Sequence, residues 1–119
     1  MLSKRIIACL DVRNGSVVKG VNFEGLQVAG DPAELSRRYN REGIDEVVIL
    51  DVTATIEKRK ALADTIHAVA SEIFLPLCVG GGIKNEDHAD AAIEAGADKV
   101  SLNTAAIATP ELLTTLARR

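Results

Sequence analysis

Aromatic side chains are scarce in this sequence. They make up 3% of the 119 residues, and tryptophan is absent. Proteins that bind nucleic acids often stack bases on such rings and present a basic surface, whereas this chain has a net charge of −3. The composition therefore predicts neither a nucleic-acid partner nor an anionic membrane partner. It also requires a core built from Ile, Val, Leu and Ala.

Cysteine and histidine are few as well, at two residues each. They form no metal-ligand pattern, so we expect no metal and no other cofactor. Cys9 and Cys78 fall in the first and third predicted strands, where the strand between them imposes a separation of roughly 9–10 Å. This separation excludes a disulfide and favours free thiols in a reducing compartment.

Long hydrophobic runs are missing too. Lys4-Arg5 is followed by only a few apolar residues before Asp11, and no later run has the length of a membrane span. We therefore expect neither a signal peptide nor a transmembrane helix. The hydrophobic content of 47% and the charged content of 26% are typical of globular proteins, and the length favours one domain over residues 1–119. The simplest interpretation is a single cytoplasmic domain.

The chain does contain a regular alternation of short apolar runs and amphipathic segments. The apolar runs predict strands over residues 5–11, 46–51, 75–79 and 99–102, and helices begin near residues 31, 57, 85 and 109. This βαβαβαβα order predicts a parallel sheet covered by helices. Residues 12–30 contain four glycines and little periodicity, which predicts a long loop with room for a small strand at 16–18.

The helices carry recognisable starts and buried stripes. Asp31 and Pro32 predict a capped start for the first helix, and Asn85 predicts one for the third. The expected buried positions are Leu35 and Tyr39 in the first helix, Leu62, Ile66, Val69 and Ile73 in the second, Ala89, Ala92 and Ile93 in the third, and Leu112, Leu113 and Leu116 in the fourth. An internal repeat links residues 43–47 to residues 96–100, which indicates one βα unit used serially.

The most distinctive stretch is Gly80-Gly81-Gly82, between the third strand and the third helix. Glycines there leave backbone N–H groups uncovered beside a helix N-terminus, an arrangement suited to binding phosphate. The alternative is a tight βα turn that requires positive φ. Asn103-Thr104, after the fourth strand, would either complete the phosphate site or form an Asx-type turn.

Two carboxylates end neighbouring strands, Asp11 and Asp51. Sites in parallel α/β structures collect at this edge of the sheet, so the pair would either divide acid and base roles or cap the following loops. Lys19 lies in the long loop, where it would either reach an anionic ligand or be solvated. His67 and His88 fall on predicted helices away from the buried stripes, so we expect them on the exposed surface.

The opposite edge of the sheet carries a ring of mixed charges at the starts of strands. Its members are Arg5, Asp45, Glu46, Asp98 and Lys99. From the residues alone, this ring is expected to be a solvated face of weak salt bridges.

Several of these stretches together resemble one enzyme family, the cyclase subunit of imidazole glycerol phosphate synthase from histidine biosynthesis. The matching stretches are residues 5–12, 18–23, 43–46, 57–59, 79–83 and 96–106, and the resemblance covers essentially the whole chain. The histidine-pathway isomerase one step earlier shares the glycine turn but resembles the Cys9–Val12 and Lys19-Gly20 stretches less well. An isomerase-like half barrel is therefore the related alternative.

The resemblance implies a (βα)8 barrel of about 250 residues, of which this chain matches the first four βα units. The implied fold is a (βα)4 half of a TIM barrel with outer helices. In the family, Asp11 corresponds to a general acid/base in the ammonia-dependent ring closure and lyase cleavage of a bisphosphate ribulosyl substrate. The products are imidazole glycerol phosphate and an aminoimidazole carboxamide ribotide.

The same resemblance implies roles for the other marked residues. Gly81, Gly82, Asn103 and Thr104 correspond to a phosphate site, and Lys19 to a mobile loop over the substrate. Arg5, Glu46 and Lys99 correspond to a gate for ammonia from a glutaminase partner, with Asp45 and Asp98 on the docking face.

The family's second catalytic Asp and second phosphate site have no counterpart here. We therefore expect a single chain to bind phosphate with weak or no activity. Four parallel strands cannot close, so we also expect two or more copies to associate, and a two-fold dimer would complete eight strands. The contrasting expectation is a non-catalytic, self-assembling phosphate-binding scaffold or fragment.

Overall fold

The computed structural model describes residues 4–13, 15–21, 24–52, 59–102 and 107–118. Its strands are β1 (Ile7–Arg13), β2 (Ser16–Val21), β3 (Glu24–Gly30), β4 (Glu46–Asp51), β5 (Leu77–Gly80) and β6 (Lys99–Val100). Its helices are α1 (Pro32–Arg41), α2 (Arg59–Glu72), α3 (Glu86–Ala95) and α4 (Glu111–Ala117). The predicted α/β alternation is confirmed, with strand boundaries displaced by up to two residues and a shorter final strand.

The six strands form one sheet in the order β3-β2-β1-β4-β5-β6. The four predicted strands, β1, β4, β5 and β6, are parallel to one another and adjacent in chain order, as in one half of a TIM barrel. The other two strands correct the expectation of a long loop over residues 12–30. The described part of that segment contains an antiparallel ribbon of β2 and β3, and β2 pairs with the end of β1.

The described helices cover one face of the parallel sheet, and we call this the outer face. Alternate strand residues point toward it and are buried, including Leu10, Ile49 and Val79. The predicted stripe of α2 is confirmed, because Ile66, Val69 and Ile73 are buried and Leu62 packs against them. Hydrophobic burial between this sheet face and these helices is the main stabilising contribution to the fold.

Two predicted helix faces need correction. Ala89 and Ala92 of α3 are buried as expected, but Ile93 is 48% exposed. In α4, Leu112 is buried, whereas Leu113 is 51% exposed. Each exposed residue directly follows a buried one, so it lies about 100° further around the helix, away from the sheet.

The helix ends follow the predicted chemistry. The Asp31 carboxylate accepts the N–H of Glu34, and the Asn85 side-chain oxygen accepts the N–H of His88. Gly43 and Gly96, which occupy equivalent places in the internal repeat, both have positive φ where α1 and α3 end. Within the ranges that the structure describes, no helix is long and apolar enough to cross a membrane.

The opposite face of the parallel sheet carries no helix among the described elements, and we call this the open face. Cys9 pairs with Val48, and Val48 pairs with Cys78, so these three side chains form a row across it. Cys9 is exposed and the other two are half-buried. In a closed barrel this face would be the inner wall.

Candidate functional site

Asp11 lies near the carboxyl end of β1, on the open face. It pairs with Leu50 of β4, and the side chains of β1 alternate so that Leu10 and Val12 are buried on the outer face. Asp11 itself is half-buried. Its carboxylate is therefore placed at the edge where active sites of parallel α/β structures form, on a rigid strand and within reach of solvent.

Asp51 lies at the end of the neighbouring strand but does not share this placement. It pairs with Val12, whereas Asp11 pairs with the preceding residue, Leu50. Strand alternation thus assigns Asp11 and Asp51 to opposite faces of the sheet. The structure does not bring the two carboxylates together, and a role for Asp51 stays a prediction.

The glycine turn follows β5 at the same edge of the sheet. Gly81 and Gly82 have φ values of +81° and +75°, a conformation that strains other residues. A Cβ on Gly81 would clash with the backbone oxygen of Asp51, so the turn packs directly against the end of β4. A Cβ on Gly82 would meet no atom of the described residues within 4 Å. Gly82 therefore offers backbone that a ligand can approach.

The turn continues into α3 through a second set of hydrogen bonds. Ile83 is buried in the core, and the next residue, Lys84, donates its backbone N–H to Nδ1 of His88 at 3.1 Å. His67 is exposed as predicted, but His88 is half-buried. The sequence signal for this contact, a histidine three residues after the capping Asn85, is too common to be diagnostic.

Three of the predicted ligand-binding residues either lie outside the described ranges or have only a described backbone position. Asn103 and Thr104 lie outside the described residues. The backbone of Lys19 lies in β2, paired with Gln27 of β3, rather than in an irregular loop.

At the opposite edge of the sheet, three of the predicted charged residues are in contact. The Glu46 carboxylate accepts a hydrogen bond from Lys99 Nζ at 2.5 Å and one from Arg5 Nη1 at 3.1 Å. The Glu46 side chain is 7% exposed, while both cations reach solvent. The hydrogen bond from Lys99, supported by Arg5, holds the pKa of Glu46 below its usual value despite the opposing effect of burial.

The two aspartates of this edge bind backbone instead. Asp45 accepts the N–H of Ile6 at 2.7 Å, and Asp98 accepts the N–H of Leu77 at 2.8 Å. Each carboxylate thus ties the start of its own strand to the neighbouring one, which explains why the two positions recur in the internal repeat. This structural role is compatible with a docking role, which stays a prediction.

Both thiols on the open face are free, as predicted. Desolvation by burial is the main cause that raises the pKa of Cys9, and the nearby Asp11 carboxylate adds to it. Desolvation also raises the pKa of Cys78. No group of three or more potential metal ligands occurs within the described ranges.

A feature that sequence reasoning missed lies beside the charged edge. A cavity of about 600 Å³ opens between the end of α2, the start of β5 and the end of α3. Its lining includes Phe74, Leu75, Pro76, Asp98 and Lys99. Phe74 is fully exposed, although it directly follows the buried Ile73. Because aromatic side chains are enriched in protein interfaces, this ring and the cavity form a candidate contact surface.

Comparison with known proteins adds family information to this geometry. A family described as histidine biosynthesis protein matches residues 5–119. The chain is 56% identical over 115 residues to imidazole glycerol phosphate synthase subunit HisF of Corynebacterium glutamicum strain R. It is 57% identical over 113 residues to the subunit of the same name from Thermococcus onnurineus, and 52% identical over 119 residues to that from Myxococcus xanthus.

These matches cover 95–100% of this chain but only 45–47% of each relative. The chain therefore spans just under half the length of the curated relatives it matches.

Proposed function

Because the chain belongs to the histidine biosynthesis protein family, we propose that it forms the first half of a cyclase site that binds a phosphorylated substrate. In this site, Asp11 acts as a general acid/base, and the Gly81-Gly82 turn binds a phosphate group. The proposed reaction is the ammonia-dependent ring closure and lyase cleavage of a bisphosphate ribulosyl compound. We also propose that the protein is cytoplasmic, in keeping with its two free thiols.

One observation carries this proposal. A carboxylate on the open face and a turn of two positive-φ glycines lie at the same edge of one parallel sheet. The glycine amides and the N-terminus of α3 supply positive partial charge for a phosphate. Asp11 lies on the strand two places away across the sheet, where its carboxylate can transfer protons to and from a substrate anchored at the turn.

A turnover assay tests the catalytic part. The protein is mixed with the bisphosphate ribulosyl substrate and an ammonium salt, and product formation is followed by absorbance. Asp11→Asn should reduce turnover by at least about 100-fold, because the amide cannot transfer the proton. Asp64→Asn, which alters an exposed carboxylate on α2, is the control and should leave turnover unchanged.

The outcomes of this assay separate two functions. Turnover that depends on Asp11 supports the enzyme. Binding of inorganic phosphate without turnover supports the phosphate-binding scaffold instead. Absence of both turnover and phosphate binding would refute both assignments.

We further propose that the charged edge receives ammonia from a glutaminase partner. The Arg5–Glu46–Lys99 cluster stands where the strands begin, at the far end of the sheet from Asp11. The adjoining cavity, which has both apolar and charged lining residues, and the exposed Phe74 provide a contact surface next to it. Affinity for a glutaminase subunit, measured by calorimetry, should fall about tenfold or more in Phe74→Ala. Asp64→Ala, at an exposed position in the first half of α2, is the control, and equal losses in the two variants would argue against this docking surface.

The two edge strands of the parallel sheet, β1 and β6, are candidates for pairing with a second copy of the chain. Among the described strands, β6 has no neighbour on one side, and β1 pairs with β2 only at Val12 and Arg13. Exposed apolar residues occur on β1, at Ile7, and in the chain that follows β6, at Ile107 and Leu113. We propose that a second copy pairs with these edges, so that eight parallel strands enclose one cavity with Asp11 from each copy.

The solution mass tests this arrangement. Light scattering at micromolar concentration should give about twice the 12.6 kDa of one chain. Ile107→Lys should reduce the mass toward that of a monomer, because it places a charge at an edge contact. The control, Phe74→Lys, introduces the same charge away from these edges and should leave the mass of the dimer unchanged. A wild-type chain that stays monomeric would contradict the proposal.

A further inference from the structure

His88 lies in the first turn of α3, next to the glycine turn, and its ring contacts backbone. Its own backbone N–H donates to Oδ1 of Asn85 at 2.9 Å. Its Nδ1 accepts the backbone N–H of Lys84 at 3.1 Å, while Nδ2 of Asn85 lies 3.4 Å from Nε2. The side chain therefore reaches back over the segment that joins the glycine turn to the helix.

The chemistry of the ring decides which of these contacts is a hydrogen bond. A neutral imidazole has one acceptor nitrogen, and the other nitrogen carries the proton. Because the shorter contact requires Nδ1 to accept, the proton belongs on Nε2. The side-chain NH2 of Asn85 and the protonated Nε2 of His88 are then both donors, so they form no hydrogen bond with each other. The ring thus fixes the Lys84 amide.

The glycine turn needs such an anchor at its exit. Gly81 is held by close packing against the backbone of Asp51, but no residue in the described ranges packs where a Gly82 side chain would be. After Gly82, the chain is fixed by burial of Ile83 and by the Lys84–His88 hydrogen bond. A phosphate site built from backbone amides depends on their being held in place before the anion arrives.

We propose that His88 is a positioning residue for the phosphate turn. Its Nδ1 holds Lys84, and Lys84 in turn fixes the orientation of the Gly82 backbone two residues earlier. This inference rests on the proposed phosphate-binding function of the turn. It gives a role to a histidine that the sequence predicts only as exposed surface.

Binding of inorganic phosphate, measured by calorimetry, tests the proposal. His88→Ala removes the acceptor and should weaken binding about 5- to 10-fold, as expected for the loss of about one hydrogen bond. His88→Asn retains an acceptor near the Nδ1 position and should bind within about twofold of the wild type. The control is His67→Ala, which removes the other histidine from an exposed position on α2 and should have no effect.

A second variant that removes the acceptor for Lys84 separates the positioning role of His88 from its effect on helix stability. Glutamine is favoured at this third position of a helix, because its side chain accepts the backbone N–H of the N-cap residue, here Asn85. His88→Gln therefore supports the helix start, but its side chain bonds Asn85 rather than Lys84. It should keep the thermal stability of the wild type and still bind phosphate about as weakly as His88→Ala. If His88→Ala does not fold, His88→Gln alone decides. Wild-type affinity in a folded removal variant would overturn the proposal and leave the proposed function standing.

Amide hydrogen exchange provides a readout that does not require phosphate. The Lys84 amide should exchange at least about fivefold faster in His88→Gln than in the wild type, while the Ala89 amide should be unaffected. If the wild type binds no phosphate, the proposed function fails, and the exchange rates still decide whether His88 holds the turn. Unchanged exchange at Lys84 would contradict the positioning role.

Discussion

At the scale of single residues, Glu46 shows how burial and pairing together define an electrostatic site. Its carboxylate is shielded from water but accepts hydrogen bonds from two cations that remain solvated. The charged form is favoured in the folded chain, so the pKa of Glu46 is lowered. The sequence could mark these residues as a charged ring, but only the sheet register shows that one carboxylate joins two strands to the N-terminal segment.

The lowered pKa of Glu46 predicts a pH-dependent contribution to stability. A group whose folded pKa is lowered stabilises the fold above its unfolded pKa, and the contribution is lost as the pH falls through the folded pKa. Glu46→Gln should therefore lower the melting temperature at pH 7, and this difference should disappear as the pH falls below the usual range of glutamate. Thermal melts between pH 3 and pH 8, at roughly unit intervals, measure this.

The exposed Arg37–Glu72 pair provides the control for this prediction. Both of its side chains are about half exposed, so Glu72→Gln should change stability by less than about 1 kcal/mol at any pH. A Glu46→Gln deficit that persists unchanged at acid pH would show that lost packing, rather than lost charge, is responsible.

Two adjacent glycines should respond differently to alanine. Gly81→Ala combines positive φ with a clash against the backbone of Asp51, and it should cost about 2–5 kcal/mol. Gly82→Ala has the same φ strain but meets no neighbour among the described residues, and it should cost only about 1–2 kcal/mol. Urea denaturation of both variants gives the comparison. Equal losses would mean that the turn does not pack against β4 as described.

At the scale of elements, the parallel strands and their helices could be predicted because their signals are local. The α2 stripe and the Asp31 and Asn85 caps follow directly from spacing and side-chain chemistry. The β2–β3 ribbon could not be predicted with the same ease. Its pairing contains register shifts after Val17 and Lys19, and such irregularities disturb the alternation by which strands are recognised.

The site could be predicted only in part, for a related reason. Asp11 and the glycine turn stand at strand ends, which a sequence pattern can locate. That Asp11 and Asp51 lie on opposite faces depends on a one-residue difference in pairing, which only the register reveals. The cavity beside Phe74 depends on how three separate elements meet.

Substitution of a buried residue should lower the free energy of unfolding far more than substitution of an exposed one, and Ile49 and Phe74 provide this comparison. Ile49 is fully buried under the helices, so Ile49→Ala should cost about 2–5 kcal/mol. Phe74 packs against nothing in the described chain, so Phe74→Ala should change stability by less than about 0.5 kcal/mol. Urea denaturation measures both. A large loss for Phe74→Ala would show that this ring contributes to the core after all.

At the scale of the whole molecule, the described chain combines a complete outer layer with an incomplete inner wall. One sheet face is covered by helices, and the other presents Cys9, Val48 and Asp11 toward the space that a closed barrel would enclose. The relatives are about twice as long, consistent with a site completed by further strands. We therefore propose that the open face becomes the interior of a functional site once another set of strands covers it.

Cys9 reports on that claim most directly, because it lies on the open face two residues before Asp11. In a Cys78→Ser background it is the single thiol, and its alkylation at pH 7.5 can be followed over a range of protein concentrations. The raised pKa of Cys9 makes alkylation slow throughout, so rates are compared with one another rather than with free cysteine. We predict that the rate falls at least about tenfold as the concentration rises and the chains associate. A rate independent of concentration, at concentrations where the chains do associate, would contradict the account, because the open face would then not lie inside the assembly.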